Sequence, residues 1–376
     1  MRFIADEQNV KVTGRTIFRD GKRYLGYTGT SISFRFSGKL AKAKILSDAS
    51  SHDEKDYAWV AVYVKEEKDG EVSYGAVADE KPYKRFCLEN DEAEYVLYEA
   101  EEKKTVTVTL IKYSEAEYAA CAIEWLETDS ENILEPPLAK KLKIEMVGDS
   151  ITCGYGNEGS VEELCHDTSE ENPMCAYSLL TAIHLDADVN VVAWNGKGVI
   201  TAYIGEDGEK IKDESWLVPM LYEYTDAGCE NDYLHTPEQS WEKWDNTKFV
   251  PDIISVYLGT NDASYTDNDE ARNNEFIEGY VKFIENIRSK NANVPILCML
   301  GNMDKRLCES VNKAVNVFNE KHMTNDVYYL DLPLQDEADG LGIFWHPTET
   351  THRKTAALVE SRIKEILTDC GKLDKI

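Results

Sequence analysis

The sequence predicts an α/β protein in which an open parallel sheet, with helices on both faces, is preceded by an antiparallel β-sandwich. Three observations carry this. Up to about residue 128 apolar and polar side chains alternate at strand spacing, Pro136-Pro137 then interrupts the chain, and beyond it short apolar runs alternate with stretches of helical spacing. At 376 residues the chain also exceeds the size at which a single core usually keeps growing. Two domains are therefore expected, residues 1–135 and residues 136–376.

In the first of these, Ser31-Ile32-Ser33-Phe34-Arg35-Phe36, Ala58 to Val64 and Thr105 to Leu110 read as strands. Asp20-Gly21-Lys22 and Lys68-Asp69-Gly70 punctuate them as turns. The two prolines of Glu135-Pro136-Pro137 lack backbone donors and stop regular structure on either side.

The second domain reads differently. Apolar runs at Ile144–Val147, Val189–Ala193, Ile253–Leu258, Ile296–Leu300 and Val327–Leu332 have the length and continuity of buried parallel strands. Between and after them, Phe276, Ile277, Tyr280, Val281, Ile284 and Ile287, then Leu307, Val311, Ala314, Val315 and Phe318, then Ala356, Leu358, Ile363 and Ile366, follow helical spacing. In such a sheet the functional crevice lies at the carboxyl ends of the strands. Residues 157–173 and 206–246 resist regular assignment and read as rims or mobile segments; the second carries Trp216, Tyr222, Tyr224, Tyr233, Trp241 and Trp244, which serve either as sugar-stacking faces or as core.

Charge narrows the partners. With 41 basic and 70 acidic side chains the net charge is −29, which repels phosphate backbones and anionic membrane surfaces. No nucleic-acid or membrane partner is expected, no segment approaches the roughly 18 apolar residues of a membrane span, and self-association is left open. The N-terminus, Met1-Arg2-Phe3-Ile4-Ala5-Asp6-Glu7, carries no apolar stretch of secretory length, and the nine cysteines include no CxxC pair. A cytoplasmic address with reduced thiols is the expectation, unless a leader has been removed.

The chemistry gathers at strand ends. An unassisted serine hydroxyl is a poor nucleophile and needs a base in reach and donors aimed at the developing oxyanion. Ser150 follows the run ending at Val147, with glycines at 148, 154 and 156 suiting a tight exit, although Asp149 and Ser150 also suit plain helix capping. Asn261, in Gly259-Thr260-Asn261-Asp262, ends another run and can point its amide across the crevice. Trp194-Asn195-Gly196-Lys197-Gly198 ends a third, where glycine lets backbone approach a ligand, and His346 precedes the last helical stretch.

In that order these pieces resemble the four motif blocks of the SGNH (GDSL-type) hydrolases. The longer strings Gly148-Asp149-Ser150-Ile151-Thr152-Cys153-Gly154-Tyr155-Gly156-Asn157, Trp194 to Gly198 and Leu258 to Asp262 look like carbohydrate esterase family 2, as does Tyr27 to Gly38. The resemblance implies an N-terminal jelly-roll sandwich joined to an SGNH domain with a flavodoxin-like sheet. It also implies a serine esterase that removes O-acetyl groups from plant-wall polysaccharides or oligosaccharides, of acetyl xylan or glucomannan type, with no metal or other cofactor. Carried over by position, Ser150 is the nucleophile and His346 the general base and acid. The Ser150 and Gly196 N–H groups with the Asn261 side chain form the oxyanion hole, with Gly198 as the alternative to Gly196, and Trp345 offers a stacking face to the sugar.

One position departs from the pattern. Where many SGNH enzymes carry an aspartate three residues before the histidine, this chain has Ile343. The expectation is a Ser150–His346 dyad whose imidazole is oriented by a main-chain carbonyl near residues 343–344, with Asp339 as the substitute. Three other readings stand beside the esterase: a non-catalytic carbohydrate-binding protein, an SGNH esterase acting on lipid or thioester substrates, and a metallophosphoesterase. The last needs clustered ligands, and only His346 with His352, and Cys165-His166 near Cys175, approach one.

Overall fold

The structure is a computed structural model that describes residues 1–67 and 80–375. The expected turn at Lys68-Asp69-Gly70 lies outside the described residues. The chain divides into two compact units, each treated by itself.

The first unit comprises residues 1–140, 166–174 and 225–242. Its strands are β1 (Arg2–Phe3), β2 (Lys11–Thr13), β3 (Ile17–Arg19), β4 (Lys22–Leu25), β5 (Ser31–Ser47), β6 (Trp59–Glu66), β7 (Lys84–Cys87), β8 (Glu92–Lys112), β9 (Cys121–Thr128) and β10 (Ile133–Leu134). They form an antiparallel sheet in the order β3-β4-β9-β5-β8-β6-β7, with β1 on β9 and β2 and β10 on β5. The long pair β5 and β8 carries it. Ile32, Phe34 and Phe36 stand opposite Leu110, Val108 and Val106, and all six are buried, as the period-two pattern requires. On the other face Ser33 and Thr109 share a 2.7 Å hydroxyl hydrogen bond. Register shifts between Gly38 and Leu40 and between Ala41 and Lys42 bend the pair.

The two later segments join this unit through buried polar groups. Glu171 accepts from the Glu115 N–H at 2.7 Å, while the Arg85 guanidinium donates to the carbonyls of Ser169 and Glu171. Glu230, its side chain fully buried, pairs with Arg19 at 2.6 Å, and Cys229 packs with Ile17, Tyr24 and Ala122. This modifies the linear division at residue 135: much of the two stretches expected to be rims is packing against the antiparallel strands. The aromatics reflect it, since Trp241 is buried and Tyr233 packs edge-on against Tyr24 at 5.6 Å.

The second unit comprises residues 141–165, 175–224 and 243–376. Its strands β11 (Leu142–Gly148), β12 (Ala187–Ala193), β13 (Ile253–Tyr257), β14 (Ile296–Asn302) and β15 (Val327–Leu334) are parallel in the order β12-β11-β13-β14-β15. They coincide with the five apolar runs, four of them extended by one to three residues and β13 ending one residue short, at Tyr257. The helices are α1 (Ser150–Cys153), α2 (Tyr177–His184), α3 (Val218–Leu221), α4 (Ala263–Thr266), α5 (Glu270–Lys290), α6 (Cys308–His322) and α7 (Glu349–Asp369). α2 packs with α7 and α5 with α6, so the sheet is covered on both faces. Helical spacing holds for α5 and α6 in full, but on α7 Val359 rather than Leu358 faces the core. Tyr222 is also core, fully buried with its hydroxyl donating to Glu145 at 2.6 Å.

Strand order reverses between β11 and β13, where chains leave the sheet to opposite sides and open a crevice at the carboxyl edge. Ser150 follows β11, Asn261 follows β13 and Gly196 follows β12.

Candidate active site

Ser150 is the first residue of α1, whose N-cap is Asp149. The Asp149 carboxylate accepts from the Ile151 N–H at 3.1 Å, so the capping role and the placement of a buried serine hydroxyl at the strand end coexist in one turn. His346 Nε2 lies 2.8 Å from Ser150 Oγ. On the other side of the ring, Nδ1 lies 2.9 Å from the Ile343 carbonyl oxygen. A carbonyl can only accept, so Nδ1 carries the proton and Nε2 presents its lone pair to the serine.

The Asp339 carboxylate is engaged elsewhere: both its oxygens accept from Lys354 Nζ, at 2.7 and 2.5 Å. Of the two groups considered for orienting the imidazole, the carbonyl is the one beside it.

A tight loop holds the histidine. Gly342 N–H donates to the His346 carbonyl at 2.8 Å, and Ile343 N–H donates to the Gly156 carbonyl at 3.2 Å. Gly156 has φ +53°, and a Cβ there would stand 2.7 Å from Ile343 Cβ. Tyr155 lays its ring against the imidazole with centroids 4.6 Å apart. The sequence marks Gly156 for the tight exit from β11 but gives Tyr155 no role beyond the motif string, and gives neither a part in holding the histidine. Their signal is the Gly154-Tyr155-Gly156 run itself, two glycines bracketing one aromatic.

Phe344 and Trp345 follow in succession at φ +47° and +63°, and the Trp345 side chain is 61% exposed beside the histidine. Gln335 Nε2 donates to the Trp345 carbonyl at 2.6 Å. Phe344, also exposed, was not singled out from the sequence. Trp216, by contrast, packs against buried Trp194 at 5.5 Å.

Asn261 lies across the crevice, its Nδ2 donating to the Lys197 carbonyl at 3.0 Å and standing 3.4 Å from Asp149 Oδ2. The two candidate glycines separate clearly. A Cβ on Gly196, at φ +70°, would meet nothing within 4 Å, whereas one on Gly198 would strike Thr201 O at 2.3 Å and Asp262 Oδ2 at 2.4 Å. Gly196 borders open space and Gly198 is wedged against a buried carboxylate.

Two carboxylates sit behind this edge, both fully buried. Burial pushes Asp149 up to about 7, opposed by its backbone hydrogen bond and assisted by the charge of Asp262. Burial likewise pushes Asp262 up to about 6 against the N–H donors around it. His352, on α7, accepts from the Tyr177 N–H through Nδ1 at 3.2 Å, and burial depresses it to about 3, so it is neutral. It does not pair with His346 as a ligand set. Among the described residues no group of three His, Cys, Asp or Glu side chains is arranged to hold a metal ion, and no helix is long and apolar enough to cross a membrane. The nine cysteines are not joined in disulfides.

A serine at the switch point of a flavodoxin-like sheet, facing an imidazole from the last loop, defines the class of GDSL-like lipases and acylhydrolases. Residues 144–359 match that family, GDSL-like Lipase/Acylhydrolase, and residues 12–137 match Carbohydrate esterase 2 N-terminal. The chain belongs to the GDSL-like family and, with both parts in tandem, to its carbohydrate esterase family 2 branch.

It is similar to the cellulase/esterase CelE of Acetivibrio thermocellus, 30% identical over 79% of this chain but only 34% of that protein. It is also similar to an acetylxylan esterase / glucomannan deacetylase of Cellvibrio japonicus, 24% identical over 96% of this chain and 90% of that one. Among solved structures, a family two carbohydrate esterase from Clostridium thermocellum in complex with cellohexaose superposes with a TM-score of 0.78 at 27% identity, covering 96% of this chain and 99% of the other.

Proposed function

We propose that this chain is a serine esterase that removes O-acetyl groups from plant-wall polysaccharides or oligosaccharides, of acetyl xylan or glucomannan type, through an acetyl-enzyme intermediate. The observation that carries the reading is the relay Ile343 O, His346 Nδ1, His346 Nε2, Ser150 Oγ, with steps of 2.9 and 2.8 Å. The relatives named for acetylxylan and glucomannan deacetylation support the substrate class.

In this mechanism His346 takes the Ser150 proton through Nε2 as the hydroxyl attacks the acetyl carbonyl. The Ser150 and Gly196 N–H groups and the Asn261 amide receive the oxyanion. Protonated His346 then gives its proton to the departing sugar oxygen. Water, deprotonated by the same nitrogen, attacks the acetyl-serine; the Oγ–acetyl bond breaks, His346 returns the proton to Ser150 Oγ, and acetate leaves. The Ile343 carbonyl supplies the orientation that an aspartate supplies in many triads, without a formal charge, and also accepts from the imidazolium that forms. Trp345 offers an apolar face of the size of a pyranose ring.

The test is acetate release from a panel of acetylated xylan, acetylated glucomannan and short acetylated oligosaccharides, comparing the native chain with Ser150→Ala. Release confined to the native chain and insensitive to a metal chelator is expected. Equal release by Ser150→Ala would overturn the assignment.

A further inference from the structure

The loop that follows β12 is wrapped around a single carboxylate. Its ends are joined by the Tyr203 N–H donating to the Gly196 carbonyl at 2.8 Å. At its centre Asp262 Oδ1 accepts from the N–H groups of Val199 at 3.0 Å, Ile200 at 2.8 Å and Thr201 at 3.2 Å, and Oδ2 takes a further share of Val199 at 3.0 Å. Three successive donors converging on one carboxylate form a nest, a concavity suited to an anion. Gly198 is the position where a side chain would displace it.

Asp262 is also the chain neighbour of Asn261. The dipeptide therefore holds both sides of the crevice edge: Asn261 reaches the Lys197 carbonyl with its amide, and Asp262 gathers the residues just beyond Lys197. Ser264 ties the same parts together again, its hydroxyl donating to the Asn261 carbonyl at 2.7 Å and accepting from the Ile204 N–H at 3.1 Å.

From this we infer that Asp262 is a positioning residue of the esterase, one that sets the Gly196 N–H and the Asn261 amide at a common distance from the reacting carbonyl. It touches no substrate atom and acts through the two donors. The inference rests on the esterase reading and assigns work to a residue which that reading leaves idle.

Asp262→Asn keeps the shape but points an NH2 group at the Val199 N–H, so the loop must shift. Loss of alignment at one oxyanion donor lowers turnover on the order of hundredfold elsewhere. A fall in kcat of that order is expected, with KM and the affinity for a deacetylated oligosaccharide little changed. Gly198→Ala moves the same loop without removing the charge and is expected to act alike. It serves as the second variant if Asp262→Asn does not fold.

The decisive readout is a double-mutant cycle with Asn261→Ala. If Asp262 works through the oxyanion donors, its substitution costs far less in that background than in the native chain. A merely structural role leaves the two losses multiplicative. Multiplicative losses, or native kcat in a folded Asp262→Asn or Gly198→Ala chain, would overturn the inference. Ser150→Ala is measured alongside: should it retain native activity, the esterase reading fails instead, and the two failures are told apart.

Discussion

Gly156→Ala, which changes no polar group at the site, should disable it. A methyl at position 156 must adopt φ +53° and stand 2.7 Å from Ile343 Cβ. The left-handed backbone costs a side-chain-bearing residue about 1–2 kcal/mol, and overpacking a well-filled site adds about 1–3 kcal/mol. The sum, about 2–5 kcal/mol, is relieved most easily where the neighbour can move. That neighbour is the 342–346 loop, anchored to Gly156 through the Ile343 N–H.

Relief by loop movement carries the Ile343 carbonyl and the imidazole together, lengthening the 2.8 Å approach of His346 to Ser150. A misplacement of about 1 Å in a catalytic group costs roughly hundredfold in rate. Steady-state acetate release and a thermal melt, run on the same preparation, check both halves. A large loss of kcat with a folded, modestly destabilised chain is expected. Native kcat in Gly156→Ala would mean that His346 is not held by this contact, and the argument for a loop-oriented dyad would be lost.

Three further outcomes follow. Asp339→Asn should leave acetate release near the native level, because its carboxylate pairs with Lys354 rather than with the imidazole; a loss matching that of His346→Ala would make the carboxylate, and not the Ile343 carbonyl, the group that orients the ring. Asn261→Ala should lower kcat by on the order of hundredfold with an unchanged melt, and native turnover would remove it from the oxyanion site. His352 is depressed from 6.5 to about 3 by burial, so the unfolded chain takes up its proton first as the pH falls. Its contribution to stability is full above about 6.5 and is lost progressively toward about 3. His352→Gln should therefore lose less melting temperature than the native chain between about pH 7 and about pH 4, and parallel losses in the two chains would count against a buried neutral imidazole.

Much of the catalytic unit was legible because its signals are local. Five apolar runs without alternation mark buried parallel strands, and five parallel strands are present; β11 to β14 are buried almost throughout, whereas β15, at the edge of the sheet, is largely half-buried or exposed. Asp149 and Ser150 could be read as a cap or as a nucleophile turn; Asp149 does cap α1, and the same turn sets Ser150 Oγ 2.8 Å from His346 Nε2. The aromatic stretch from 216 to 244 was less legible. An aromatic in a long polar segment looks the same whether it stacks on sugar or fills a satellite core, and Tyr222, Tyr233 and Trp241 do the latter. Leu358 fell off the core face of α7 because an apolar residue one position from the stripe still fits a loose helical count.

What the chain alone determined is which chemical groups are available and near which strand ends they fall, since apolar periodicity and glycine placement are properties of neighbouring residues. Which group turns the imidazole, which glycine borders open space, and which carboxylate fills the loop after β12 were decided only by the tertiary structure. A backbone carbonyl is carried by every residue and leaves no mark in the sequence. Whether it meets Nδ1 depends on contacts such as Gly156 against Ile343, between residues 187 positions apart.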